Sequence, residues 1–218
     1  MLQYRMISSK LSRCCILLLL CGCHLGHYSN YKSVSSSAKN HTDTKVFLQE
    51  FDKVLYKFHL KALNKTFGGL LLLKKTSNES YRVILASELG MTYVDMELND
   101  TGFYVHKILP ELNKYGLLDL VKKDLALLLQ HRVSGKFAEE LYSTKSEIRV
   151  LHYKGVEKSQ NYYFINSSSA QIDRIEHAVK KKIKIEIMLS DREAGAPRDI
   201  SIKHNGKGVK IELNRLEQ

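Results

Sequence analysis

Asp95 and Glu97 stand two residues apart in MTYVDMELN (91–99). On a strand they project from one face about 7 Å apart, a separation that suits the paired carboxylates of hydrolytic acid–base chemistry. Val94, Met96 and Leu98 alternate with them and supply the apolar side of the same strand, which turns the two acids toward water. The nine histidines, among them His59, His106, His131, His152, His177 and His204, show no His-Glu-x-x-His or comparable ligand spacing. The sequence contains no Gly-x-Ser-x-Gly elbow, and Ser167-Ser168-Ser169 reads as a solvated turn. Gly68-Gly69 lacks the Gly-Lys-Ser/Thr that completes a phosphate-cradling loop. No catalytic residue, metal site or cofactor is expected.

The cysteines point elsewhere. All four fall within the first 23 residues, and the 195 that follow (218 − 23) contain none. Arg5, Lys10 and Arg13 form a positive region without an acid, and the apolar run Cys14 to Leu20 follows it, which is the anatomy of an export signal. Seven apolar residues are too few to cross a bilayer, which takes about 20. A Cys-x-Cys metal site would need four ligands on a folded scaffold, which an apolar leader does not offer. Leu20-Cys21-Gly22-Cys23 resembles the lipobox of bacterial lipoproteins. The resemblance implies cleavage after Gly22, lipid attachment through a thioether on Cys23, and a further acyl chain such as palmitate on the new amino group. At about 0.8 kcal/mol per buried methylene, several long chains anchor a protein durably. A cysteine-free body forms no disulfides, so its fold rests on its core.

Removal of residues 1–22 lowers the formal charge from +11 to +8 (11 − 3) and leaves 196 residues (218 − 22), ample for one domain. An exported, tethered chain has no route to nucleic acid, so the counterpart of its basic surface is an anionic lipid head group or simply water. Residues 23–44 are rich in Ser, Asn, His, Lys and Tyr and lack apolar periodicity, the pattern of a flexible tether. The folded domain is expected over 45–218.

It opens with KVFLQEFDKVLYKF (45–58), in which Phe47, Phe51, Val54, Leu55 and Phe58 recur at helical spacing and predict an amphipathic helix. Strands follow at 58–64, 67–75, 81–88, 91–99 and 102–109, separated by Leu89-Gly90 and Asn99-Asp100-Thr101-Gly102 turns. Pro110 begins a helical period with Leu117, Leu118, Val121, Leu125, Leu128 and Leu129, and Gly116 marks its start or a break. A helix apolar over more than half its circumference is buried. After a mixed stretch to about Lys145, strands return at 147–155, 161–166 and 171–179. Three cleanly alternating strands then carry Ile183, Ile185, Ile187 and Leu189; Ile200 and Ile202; and Val209, Ile211 and Leu213. About eleven antiparallel strands are too many for a flat sheet. The predicted fold is mostly β: a strongly curved, unclosed half-barrel with helices lidding its concave face.

This order of elements, with Cys23 before it and PRDISIKHNGKGVKIELNR (197–215) at its end, resembles the superfamily of the lipoprotein-localisation factors LolA and LolB. The resemblance covers about residues 45–218 and implies an eleven-stranded half-barrel that holds acyl chains against an apolar concave side. Candidate guest-lining residues are Leu70, Leu72, Leu118, Val121, Leu125 and Leu128. LolB has a protruding loop with an apolar tip, and the matching place here is the short turn Leu89-Gly90-Met91, whose Leu89 and Met91 would contact membrane or guest. The absence of tryptophan disfavours a closed lipocalin-type barrel. The expected function is non-enzymatic: an envelope lipoprotein, anchored in the outer membrane on its periplasmic side, binding an acyl chain, a lipid or another lipoprotein. A scaffold lipoprotein with a filled core is the alternative, and an envelope hydrolase the third, which would require Asp95 and Glu97 to meet a histidine in a pocket.

Overall fold

A computed structural model describes residues 31–34, 45–48, 51–62, 65–77, 79–113, 116–131, 135–143, 148–190 and 192–217. The export signal, Cys23 and most of the tether lie outside the described residues.

Alternation of apolar and polar side chains builds most of the molecule. Strand β1 is Tyr31–Val34, β2 Lys53–Ala62, β3 Lys65–Ser77, β4 Ser80–Ala86, β5 Thr92–Asn99 and β6 Gly102–Ile108. Helices α1 (Pro110–Asn113) and α2 (Leu117–Leu128) come next. Strands β7 (Lys136–Ser143), β8 (Arg149–Lys154), β9 (Ser159–Ile165), β10 (Ile172–Val179) and β11 (Lys182–Leu189) continue the chain. A two-residue-per-arm hairpin, β12 (Arg192–Glu193) and β13 (Ala196–Pro197), precedes β14 (Asp199–His204) and β15 (Val209–Arg215). Thirteen of these strands form one antiparallel sheet in the order β1-β7-β8-β9-β10-β11-β14-β15-β2-β3-β4-β5-β6. Its outer strands, β1 and β6, are not hydrogen-bonded to each other, so the sheet is an open half-barrel.

Curvature has local causes. Register shifts interrupt the β3/β4, β4/β5, β5/β6, β7/β8, β9/β10 and β10/β11 ladders, and such bulges bend and twist a sheet. At Gly69 the neighbouring strand comes so close that a Cβ would lie 2.0 Å from the carbonyl oxygen of Ala86. Helix α2 sits in the resulting hollow. The Tyr163 hydroxyl on β9 donates to the carbonyl of Leu127 at 3.1 Å, and His204 on β14 meets Asp124 at 2.9 Å, so the sheet grips the helix from two sides. Gly116, in the left-handed conformation (φ 64°), lets the chain turn into α2.

One expectation is corrected. The helix predicted over 45–58 is replaced by the ten-residue strand β2, whose Val54, Tyr56, Phe58, Leu60 and Ala62 are buried in strict alternation. The aromatic and β-branched residues satisfy both a helical and a two-residue period here, and pairing with β3 and β15 selects the second. Val46 and Phe47 instead tuck into one end of the core, where Leu48 N–H donates to the Gly195 carbonyl at 2.9 Å and Arg192 Nε donates to the Val46 carbonyl at 2.9 Å. The sheet also has thirteen strands where about eleven are expected. Strand β7 comes from the mixed stretch before Lys145, and β1 comes from the residues assigned to the tether.

Strands β8 to β10 are buried on both faces. Leu151, Tyr163 and Ile175 join the main core under α2, while Val150, Tyr162, Phe164 and Ala178 form a second cluster on the outer face with Leu141 and Tyr31. Tyr31 meets Phe164 edge-on at 6.3 Å and Arg174 stacks over the same ring at 3.8 Å, which is how the short edge strand β1 is held.

Candidate functional site: the groove and cavity around helix α2

Leu118, Val121, Leu125 and Leu128 do face the concave side of the sheet. Val121, Leu125 and Leu128 meet Phe58 and Leu60 of β2, Leu71 of β3, Leu85 of β4, Ile202 of β14, and Ile211 and Leu213 of β15 around a space of about 30 Å³. Leu118 and Val121 border a second space of about 20 Å³ with Leu112, Leu117, Phe67 and Tyr93. Each has room for about one or two waters. Leu70 and Leu72 are not brought to this groove. Side chains alternate across a strand, so Leu71 and Leu73 point into the core, and Leu70 and Leu72 lie half-buried on the outer face opposite Ala86 and Ile84.

One buried polar contact interrupts the groove. Asp124, in helical register with Val121, Leu125 and Leu128, is 2% exposed and His204, in strand register with Ile200 and Ile202, is 4% exposed. Their Oδ2 and Nε2 atoms are 2.9 Å apart, and Asp124 Oδ1 has no hydrogen-bond partner among the described residues. Burial pushes the Asp124 carboxyl up, against the pull of His204 and of Lys123. Neither Asp124 nor His204 is among the residues expected to line the groove. The signal that marks both residues is positional, since each occupies an apolar place in a clear period.

A larger cavity of about 230 Å³ lies on the other flank of α2, between Lys122, Lys123, Ala126 and Leu127 on the helix, Phe103 on β6, Ser159 and Asn161 on β9, and His177 on β10. His177 is 3% exposed, and its Nδ1–H donates to Asn161 Oδ1 at 2.6 Å. Its Nε2 is buried without a hydrogen-bond partner among the described residues. Desolvation, with smaller contributions from Lys123 and His204, pushes the imidazole down from 6.5 to about 4, so it is neutral at pH 7. A depressed folded value means that this group's contribution to stability is present above pH 6.5 and is lost as pH falls toward 4. The full shift is worth on the order of 3 kcal/mol. Asp124, with its raised value, works in the opposite sense as acid is added. The expected result is that urea denaturation midpoints fall between pH 6.5 and 4, and that His177→Gln removes most of that fall. Identical pH profiles for the two proteins would refute it.

The remaining predicted residues lie apart from the groove. Asp95 and Glu97 do meet a histidine, but on the outer face of the sheet. Arg82 holds Asp95 through Nη2–Oδ2 at 2.8 Å, and His106 Nε2 is 3.7 Å from Glu97 Oε2. Neither acid lines any of the cavities just described. Leu89 and Met91 stand at the β4–β5 turn, where Leu89 is 98% exposed and Met91 53% exposed. No group of His, Cys, Asp and Glu among the described residues could hold a metal. No helix among them is long and apolar enough to cross a membrane.

An open antiparallel half-barrel gripping one leucine-rich helix defines the class of this protein. The fold is LolA-like. A LolA superfamily protein from Nitrosomonas europaea superposes with a TM-score of 0.51 at 11% sequence identity, covering 79% of this chain and 87% of that one. A domain from Vibrio parahaemolyticus described as an outer membrane lipoprotein-sorting protein gives 0.49 at 11% identity, covering 76% and 83%. A DUF1329 family protein from Desulfovibrio piger gives 0.43 at 8% identity, covering 76% and 84%. No family model and no curated protein sequence matches the chain.

Proposed function

We propose that this protein is a non-enzymatic lipoprotein of the bacterial envelope, anchored in the outer membrane through lipidated Cys23 on the periplasmic side. In this reading it takes an acyl chain, a lipid or a lipoprotein between α2 and the concave face of the sheet. The observation that carries it is the position of α2, which covers an apolar concave face of an unclosed sheet with Val121, Leu125 and Leu128, interrupted by Asp124. An amphipathic helix in that position is exchangeable for an acyl chain of the same chemistry, because both offer the sheet only methylene and methyl contacts. Native mass spectrometry of the gently purified full chain, followed by organic extraction, tests it. The expected result is a stoichiometric fatty acid or phospholipid that is lost in Leu125→Glu, and a clean mass without uptake would sink the proposal.

The spaces of about 30 and 20 Å³ beside α2 favour a second reading, in which the core is filled and the protein is an envelope scaffold acting through its outer surface. On that reading a partner protein co-purifies and no lipid does.

Leu89 and Met91 are assigned to contact with membrane or guest, since a leucine held almost wholly in water at a hairpin tip gains by inserting into an apolar phase. With Cys23→Ser protein, which lacks the anchor, Leu89→Ser with Met91→Ser is expected to lower partitioning onto anionic vesicles by about tenfold or more, given roughly 1.5–3 kcal/mol per fully buried side chain. Equal sedimentation with the vesicles would remove the assignment.

A further inference from the structure

The cavity beside His177 differs in kind from the dry spaces under α2. Lys122, Lys123, Ser159, Asn161 and His177 supply its polar wall, Phe103 and Leu127 part of its apolar wall, and no acidic side chain lines it. Burial pushes the Lys123 ammonium down, and Lys207 nearby adds to the effect. Asp124 and Glu157 counter it in part, yet neither forms an ion pair with Lys123 among the described residues, and Asp124 is engaged by His204. Lys123, itself exposed, therefore lends a cation to the edge of the cavity beside a neutral imidazole whose ring is held by Asn161.

The donor set defines what would fit. Asn161 Oδ1 can only accept, so the 2.6 Å contact places the proton of His177 on Nδ1 and leaves a lone pair on the buried Nε2. A buried lone pair on a residue that lines a cationic cavity can take up a proton that an anionic guest then stabilises. No arginine lines the cavity to clamp a phosphate in two-pronged fashion, and its cations are the point charges of Lys122 and Lys123 beside one imidazole, a set that a carboxylate satisfies.

We infer that this cavity binds the carboxyl head of a single-chain amphiphile, taking up one proton per molecule bound. The step is RCOO⁻ + H⁺ + His177 giving RCOO⁻ paired with the His177 imidazolium. The new N–H forms at Nε2 and no bond of the amphiphile breaks. The carboxylate oxygens lie between Nε2–H and the Lys123 ammonium, Lys122 and Ser159 border the mouth, and the first methylenes run along Phe103, Ala126 and Leu127. The rest of the chain runs out of the cavity along the sheet beside α2, which stays in place because Lys123, Ala126 and Leu127 belong to it, so the inference rests on the apolar-guest reading for its tail and on the cavity for its head. The groups that set the proton affinity are His177 itself, Lys122, Lys123 and Asp124 on α2, His204 on β14, Lys207 beyond it, and Glu157 in the β8–β9 turn.

Isothermal titration of the full chain with dodecanoate, dodecanol and acetate, each in two buffers of different ionisation enthalpy at pH 6, tests the head and the tail separately. Dodecanoate is expected to bind roughly tenfold or more tighter than dodecanol, the worth of one charge-assisted hydrogen bond, with uptake approaching one proton. Lys123→Met and His177→Gln should each bring dodecanoate down to the dodecanol level and abolish the uptake while leaving dodecanol binding in place. A histidine NMR titration of the wild type should show His177 rising from about 4 when dodecanoate is bound, a readout that needs no variant. Equal binding of dodecanol and dodecanoate without proton uptake overturns the carboxyl site and leaves the apolar-guest reading standing. Binding of neither overturns both. Acetate binding as tight as dodecanoate overturns the amphiphile assignment.

Discussion

His204→Leu is expected to destabilise the fold by about 3–5 kcal/mol, whereas Asp124→Leu together with His204→Leu is expected to be neutral or to stabilise by about 1–4 kcal/mol. The single change strips the one hydrogen-bonded partner among the described residues from a carboxyl that is 2% exposed and otherwise faces Val121, Leu125 and Ile202. A carboxylate left there must take a proton or draw in water, and Asp124 already has its proton affinity raised by burial. Losing His204 raises that affinity further. The penalty of the single variant should therefore be largest near neutral pH and shrink as acid neutralises Asp124. The double variant replaces both polar groups by apolar ones in a cavity with about 30 Å³ to spare, so packing offsets what the pair contributed. Urea denaturation of the three proteins at pH 7 and pH 5 decides it. A double variant as unstable as the single would mean that the contact orders the helix in a way leucine cannot. If the expectation holds, the pair is a weak fastening in a dry groove, and a guest able to cover Asp124 and His204 after α2 moves need overcome little.

Leu125→Ala is expected to cost about 2–5 kcal/mol and at the same time to strengthen uptake of a long apolar chain. Leu125 is 4% exposed and lies where the helix meets β2, β14 and β15. Its truncation removes three buried carbons from the contact that holds α2 down and enlarges the space beneath it. On the guest-binding reading, stability and affinity move in opposite directions, because a looser helix yields more readily to dodecanol. In a solid scaffold core the same change leaves a sealed void, which accepts no twelve-carbon chain. Thermal unfolding paired with dodecanol titration separates the two outcomes.

The alternation in KIKIEIMLS, DISIKH and VKIELNR was legible from residue types alone and corresponds to β11, β14 and β15 with the predicted face inward. The leucine period after Gly116 likewise announced α2, and its apolar character over more than half its circumference announced that it would be buried. KVFLQEFDKVLYKF misled because its apolar residues fit two periods, and only the neighbouring ladders of β3 and β15 choose between them. FGGLLLLKK carried no alternation at all, so which two of its four leucines turn inward is decided by register with Val83 and Leu85, and the answer is Leu71 and Leu73.

Local order in this chain was thus set by side-chain periodicity, which acts between residues two to four apart and is readable in one dimension. What tertiary structure alone decided is which distant polar residues meet. Asp124 and His204 are 80 positions apart, and His177 and Asn161 are 16 apart across a strand pair. Their encounter depends on how far the sheet curls around α2, and curvature arises from bulges and close strand contacts that only a folded backbone possesses. The apolar fold was written in the pattern, and the chemistry of its cavities came from closing the sheet over the helix.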